Sequence, residues 1–285
     1  MTLKANNRPR AGFTLFAALC AALVIASPAV AQQAPGTFLG AVLITDDATA
    51  ASEFYSAIFG WDLERSKDGG FAVRHRGRMI GGISPLENAR QDIEESFWLV
   101  GLRVEDVDQA LKAARKAKAT IHEEVERVSD YGRFAVVADR QGAPVLLVEP
   151  GIKPLARTQG HGSWVWAELW TDDIPDAADF YAEVVGVGHS TVDRAGETYH
   201  VLTSEGEPRS GIVRIPAELE KVEPGWAPYV AVSDLGASLN KVKELGGQVV
   251  FGETEHPAEG SVALIGDPSG AVLFIYQIGS HEEAK

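Results

Sequence analysis

The stretch at residues 45–60, TDDATAASEFYSAIFG, occurs a second time at residues 171–186 as TDDIPDAADFYAEVVG. Both copies begin with Thr-Asp-Asp, carry Phe-Tyr at the same spacing and end in glycine. The second Asp is suited to cap a helix that carries the Phe-Tyr pair, and the glycine is suited to end it. The chain is therefore predicted to contain an internal duplication.

The repeat continues beyond this stretch and predicts the fold class. Later matches are Gly132, Ala135, Asp139, Gly142 and Ala143 with Gly260, Ala263, Asp267, Gly270 and Ala271. In each half a strand, a helix and short alternating runs follow one another twice, which predicts an α+β fold of two βαβββ units per half. We expect domain 1 at 38–150, a linker at 151–162, domain 2 at 163–278 and a tail at 279–285.

The first 31 residues are typical of a signal peptide. Lys4, Arg8 and Arg10 precede an apolar run at 13–26, and Ala29-Val30-Ala31 provides the small residues of a cleavage site. We expect a mature protein that begins at Gln32, is periplasmic or secreted, and has no stable membrane insertion after cleavage. An uncleaved anchor is the alternative.

Composition excludes several classes of function. The net charge is -14, and an acidic surface repels phosphate backbones, so no nucleic acid is expected as a partner. The single cysteine, Cys20, lies inside the predicted signal, so the mature chain has no disulfide, thiolate nucleophile or cysteine-based zinc site. A hydrophobic content of 45% favours packed cores.

The two Thr-Asp-Asp/Phe-Tyr/Gly motifs, with Asp267-Pro268-Ser269-Gly270, resemble the vicinal-oxygen-chelate superfamily, which includes glyoxalase I, extradiol dioxygenases and bleomycin-resistance proteins. The resemblance extends from about Phe38 to about Gln277. It implies two tandem domains, each with a sheet curved into a cup. It does not identify the reaction, because this fold supports several chemistries.

The same resemblance implies positions for metal ligands on the strands of each cup. All six positions that can be mapped hold residues whose side chains do not bind a divalent metal ion: Gly40, Leu99, Leu146, Trp166, Ala227 and Phe274. A divalent ion needs several oxygen or nitrogen donors. We therefore expect no metal site and no cofactor.

The second cup is predicted to bind a small organic ligand. Strand residues alternate faces, and with position 166 facing the cup the candidate ligand-binding residues are Trp164, Trp166, Glu168, Trp170, Tyr229, Phe274 and Tyr276. The first cup is aliphatic and is expected to be filled or vestigial. In the alternative, the tryptophans form an interface between the halves and Glu168 pairs with Arg209 or Arg214.

Two functions remain open from the sequence. One is a metal-free binding protein for a small molecule. The other is a lyase or dioxygenase of the same superfamily whose metal ligands lie elsewhere. A monomer or a homodimer is expected.

Overall fold

The computed structural model describes residues 34–88, 95–128, 130–194, 196–216, 222–256 and 260–277. The predicted signal peptide and the predicted tail lie outside the described residues. Within the part of the chain that is described, no helix is both long and apolar enough to cross a membrane.

The elements follow the predicted order, βαβββ four times. In domain 1 they are β1 (Phe38–Thr45), α1 (Ala48–Phe59), β2 (Asp62–Arg65), β3 (Phe71–His75), β4 (Arg78–Pro85), β5 (Phe97–Arg103), α2 (Val107–Lys116), β6 (Thr120–Val128), β7 (Gly132–Ala138) and β8 (Pro144–Pro150). In domain 2 they are β9 (Trp164–Thr171), α3 (Ile174–Val185), β10 (Gly188–Arg194), β11 (Glu197–Ser204), β12 (Glu207–Arg214), β13 (Gly225–Ala231), α4 (Leu235–Glu244), β14 (Gln248–His256), β15 (Gly260–Gly266) and β16 (Val272–Gln277).

Each domain forms one mixed sheet of eight strands. The order is β2-β3-β4-β1-β5-β8-β7-β6 in domain 1 and β10-β11-β12-β9-β13-β16-β15-β14 in domain 2. The two orders are identical when each strand of domain 1 is matched with its counterpart in domain 2. The predicted α+β fold of two tandem domains is confirmed.

The repeated motif forms the helix ends that its residues predict. Asp47 accepts a hydrogen bond from the backbone N–H of Ala50 at 2.9 Å, and Asp173 accepts one from that of Asp176 at 3.1 Å. The first helix ends at Gly60, which has a φ of 66°, a left-handed conformation that glycine adopts without steric cost.

The two faces of each sheet have separate surroundings. The helix-bearing faces of both sheets and all four helices share one continuous hydrophobic core, so the domains are joined by buried apolar surface. The cup faces carry two further clusters, one around Leu99 and Leu146 in domain 1 and one around Trp170 and Tyr229 in domain 2.

A β-bulge at the start of β9 corrects one predicted site residue. Tyr229 pairs with Trp166, but the next residue of β13, Val230, pairs with Trp164, so Val165 is the extra residue. The bulge reverses the alternation, and Trp164 lies in the shared core rather than in the cup. Its indole N–H donates to the carbonyl of Ile80 at 2.9 Å. Trp164 therefore lies between the two halves, in contact with Ile80 and Trp98 of domain 1.

Candidate ligand-binding cups

The other six predicted site residues lie together on the cup face of domain 2. Trp170, Tyr229, Phe274 and Tyr276 belong to one buried cluster, against which the half-buried Trp166 packs. The sixth residue, Glu168, lies among them and is only 1% exposed.

The Glu168 carboxylate accepts hydrogen bonds from three aromatic side chains. The Tyr199 hydroxyl donates to Oε1 at 2.7 Å, the Tyr229 hydroxyl to Oε2 at 3.0 Å, and the Trp170 indole to Oε2 at 3.2 Å. Burial of a carboxylate is costly unless such donors surround it. Glu168 therefore acts as the centre of a network that orients these aromatic rings.

The two arginines named in the interface alternative each donate a hydrogen bond to a backbone carbonyl. Arg209 donates to the carbonyl of Ser204 at 3.1 Å and lies 3.8 Å from the Glu205 carboxylate. Arg214 donates to the carbonyl of Asp172.

Aromatic stacking completes the packing of the second cup. The Tyr229 and Phe274 rings stack with centroids 4.3 Å apart and an angle of 13° between their planes. Trp170 packs against Phe274 with a centroid distance of 6.1 Å. The Trp166 indole donates to the Tyr199 hydroxyl at 3.0 Å. The aromatic residues of this cup thus contact one another extensively.

The first cup contains a cavity of about 970 Å³. Its lining includes the aliphatic residues Val42, Ile44, Leu99, Leu146 and Val148 from the cup face of domain 1, and Leu155 from the linker. The first cup is therefore not filled by its own side chains.

Residue size at equivalent positions explains why the two cups differ. The positions of Trp166 and Tyr229 in domain 2 correspond to Gly40 and Gly101 in domain 1, and each pair lies side by side in its sheet. The other aromatic residues of the second cup also have smaller counterparts in domain 1. Ile44 is equivalent to Trp170, Leu146 to Phe274 and Val148 to Tyr276. Val42 replaces Glu168, so the first cup also lacks the acceptor that orients the rings.

Acidic side chains surround the mouth of the first cup. The polar lining includes five carboxylates and one guanidinium. The carboxylates are Asp68, Glu95, Glu123, Glu126 and Glu223, and the guanidinium is that of Arg133. Sequence reasoning missed these carboxylates because they come from four separate segments of the chain. One of them, Glu223, belongs to domain 2.

The metal ligands that the fold family implies do not fit this chain. Leu99 and Leu146 belong to the apolar cluster of the first cup, and Ala227 and Phe274 to that of the second. Across the described ranges, no group of three or more His, Cys, Asp or Glu side chains could hold a metal ion. No reaction step through a metal is derived for these residues.

A duplicated βαβββ scaffold with one cup per domain defines a class of two-domain proteins that bind small molecules or metals between curved strands. The family model of the Glyoxalase/Bleomycin resistance protein/Dioxygenase superfamily matches residues 37–147 and 163–274. The chain belongs to this superfamily.

Two curated relatives match most of the chain. CFP32 of Mycobacterium tuberculosis, named as a candidate glyoxylase, is 29% identical over 244 residues, which is 82% of this chain and 91% of that protein. The anthracycline biosynthesis protein DauV of a Streptomyces species is 28% identical over 266 residues, with coverage of 86% and 94%.

Solved structures with the same fold are more distant in sequence. The Mn(II)-bound glyoxalase from Novosphingobium aromaticivorans superposes with a TM-score of 0.62 at 14% identity, covering 86% of this chain and 83% of that one. The 2,2',3-trihydroxybiphenyl 1,2-dioxygenase of Sphingomonas wittichii gives 0.60 at 15% identity, with coverage of 88% and 94%. At these identities the likeness establishes the fold alone.

Proposed function

We propose that this protein is an exported, metal-free member of the superfamily that binds a small organic molecule in the cup of domain 1. The observation that carries the proposal is the cavity of about 970 Å³, which lies where the equivalent cup of domain 2 is occupied by aromatic side chains. Cavities of this size with mostly apolar walls are the usual sites for small ligands.

The walls of the cavity favour an organic ligand with a ring system. Phe97, Tyr131 and Phe134 line it together with the aliphatic floor, and aromatic side chains stack on flat ligands. The similarity to DauV, an anthracycline biosynthesis protein, supports a molecule with several fused rings.

A graft from domain 2 tests the site. In Leu146→Phe/Val148→Tyr, the two residues that domain 2 carries at the equivalent positions are placed in the first cup, where both native side chains line the cavity. We expect binding of the neutral tricyclic probe 9-anthracenemethanol to weaken by about tenfold or more, because the added rings occupy its space. Fluorescence titration measures the affinity.

The matched control makes the reverse exchange in domain 2. Phe274→Leu/Tyr276→Val changes equal numbers of side chains in the other cup and should leave probe affinity unchanged. If this control weakens binding and the graft does not, the ligand site is the second cup, where the half-buried Trp166 lies at the edge of the aromatic cluster.

A lyase or dioxygenase is the alternative function. It requires metal ligands at positions other than the six that map from the family. The metal content of the purified protein separates the two functions.

A further inference from the structure

We propose that the ligand of the first cup is an amphipathic organic cation, with its ring system on the aliphatic floor and its ammonium or amidinium group at the acidic mouth. This inference rests on the proposed function, because it assigns the chemical class of the molecule that the cavity holds.

The lining of the cavity has a buried apolar part and a more exposed acidic part. The floor is formed by strand residues of the sheet, such as Leu99 and Leu146, both nearly buried. The polar lining comes from other places: the loop at Asp68, the strand β6 with Glu123 and Glu126, and the segments before β5 and β13. An occupant that matches both ends must be apolar at one end and polar at the other.

The sign of the charge at the mouth decides which polar group fits. Among the lining residues that the structure describes, acidic side chains outnumber the one guanidinium, that of Arg133. This guanidinium already lies 2.5 Å from Asp108 and 3.2 Å from Glu149, so its charge is matched by two carboxylates outside the cavity lining. The described part of the lining therefore carries more negative than positive formal charge, which favours a cation over an anion.

The aromatic residues near the mouth reinforce this choice. Tyr131 and Phe134 are half-buried and line the same cavity as Glu126, which pairs with Phe134 across the β6–β7 ladder. Ring faces carry negative electrostatic potential and attract organic cations. Carboxylates and ring faces thus favour the same class of ligand.

Domain 2 contributes to this selectivity through Glu223. It lines the cavity of domain 1, with Pro224 beside it, although both belong to the second repeat. Its equivalent in the first repeat is Glu95, which lines the same cavity. The site is therefore complete only when both domains are present.

Three flat tricyclic probes that differ in charge test the proposal on the full mature chain. They are 9-aminoacridine, a cation; 9-anthracenemethanol, which is neutral; and 9-anthracenecarboxylate, an anion. At low ionic strength we expect the cation to bind roughly tenfold or more tightly than the anion, because several partly exposed carboxylates each add a modest amount. Raising the salt concentration should narrow that ratio, since exposed charges are screened.

Glu126→Gln/Glu223→Gln removes two exposed charges from the mouth and keeps the side-chain shapes. We expect this variant to reduce the ratio of cation to anion affinity severalfold. Glu53→Gln/Asp179→Asn removes two exposed charges from helices outside the lining and should leave the ratio unchanged.

The three probes separate the failure of this inference from that of the proposed function. Equal affinities for cation and anion, or a ratio that the Glu126→Gln/Glu223→Gln variant leaves intact, would overturn the cationic ligand while the neutral probe still binds. If the neutral probe does not bind to the wild-type protein, or binds equally to the Leu146→Phe/Val148→Tyr variant, the proposed site in the first cup is wrong.

Discussion

The Tyr55 hydroxyl on α1 donates a hydrogen bond to Asp267 Oδ2 at 3.0 Å and so connects a helix of domain 1 with a turn of domain 2. The repeat forms the reciprocal contact: the Tyr181 hydroxyl on α3 donates to Asp139 at 3.4 Å. The Tyr of the repeated Phe-Tyr pair and the Asp of the repeated turn are therefore partners across the domain interface. This explains both motifs as structural features rather than catalytic ones.

Each tyrosine oxygen also accepts a hydrogen bond from a buried indole. Trp98 donates to Tyr55 at 3.1 Å and Trp226 donates to Tyr181 at 2.9 Å. Burial raises the pKa of both tyrosines well above its ordinary value, and the nearby carboxylates raise it further. Both hydroxyls therefore remain protonated donors over the ordinary pH range.

We expect Tyr55→Phe to lower the free energy of unfolding by about 1–3 kcal/mol, because a buried carboxylate and a buried indole each lose a partner. Equilibrium unfolding in urea measures the change. Tyr131→Phe is the control, since the Tyr131 hydroxyl accepts a long hydrogen bond of 3.4 Å from the partly exposed Arg74. Equal destabilisation by the two variants would contradict the role assigned to Tyr55.

Asp267 gives the stability a defined dependence on pH. Burial raises its pKa above the ordinary value of 3.8, although hydrogen bonds from Ser269 and Tyr55 oppose the shift. The folded state then binds more protons than the unfolded state between 3.8 and the raised pKa, so this group makes stability fall as pH rises through that window. The Asp267→Asn variant lacks this pH-dependent contribution to stability. Its stability relative to wild type should therefore increase as pH rises from 3.8 to the raised pKa of Asp267.

Asp68→Asn should give the opposite sign. The hydrogen bond from Ser66 lowers the pKa of Asp68, so its contribution appears as pH rises toward 3.8 and is lost as pH falls through its folded pKa. Relative to wild type, this variant should lose stability as pH rises. Urea unfolding at a series of acidic pH values measures both variants, and parallel pH profiles for the two would contradict the assignment.

The Glu168 network should make a measurable contribution to folding. Glu168→Gln replaces one acceptor oxygen with an N–H₂ group, so at least one of the hydroxyl and indole donors loses its acceptor. We expect a loss of about 1–3 kcal/mol in the free energy of unfolding. Glu53→Gln, on an exposed face of α1, should cost almost nothing. An unchanged unfolding midpoint for Glu168→Gln would show that the network is dispensable.

The six positions at which the family resemblance implies metal ligands hold no metal-binding side chain. This predicts that the protein is purified without metal. Protein prepared without chelator should contain well under one divalent ion per chain, measured by plasma mass spectrometry. Added Zn²⁺ or Mn²⁺ should not raise its melting temperature, because a ligand stabilises only a state that binds it. A stoichiometric ion, or an upward shift of several degrees, would favour the enzymatic alternative.

The proposed export of this protein predicts a mature N-terminus at Gln32, after the small residues Ala29-Val30-Ala31. Intact-mass analysis of the protein from the cell envelope or the medium measures this directly. Replacing Ala29 and Ala31 with bulky residues should block cleavage. Envelope protein that still carries residues 1–31 in the unmodified chain would refute the prediction.

The repeat was sufficient to predict the α+β class and the order of helices and strands along the chain, because each of its signals is local. Asp47 and Gly60 determine where a helix begins and ends through contacts within a few residues. The alternation of apolar residues determines which segments form strands. Two identical sets of such signals produce two identical strand orders.

Only the tertiary structure decided on which face of the sheet Trp164 lies. It also decided which of the two cups contains a cavity. The bulge at Val165 depends on how β9 pairs with β13, a segment distant in sequence, and one extra residue moves Trp164 to the opposite face of the sheet. The cavity depends on sums of side-chain volume across several strands. Val42 on β1 and Leu146 on β8 line one cavity only because the sheet brings their strands together, and the acidic mouth exists only because β6 and Glu223 of domain 2 line that same cavity.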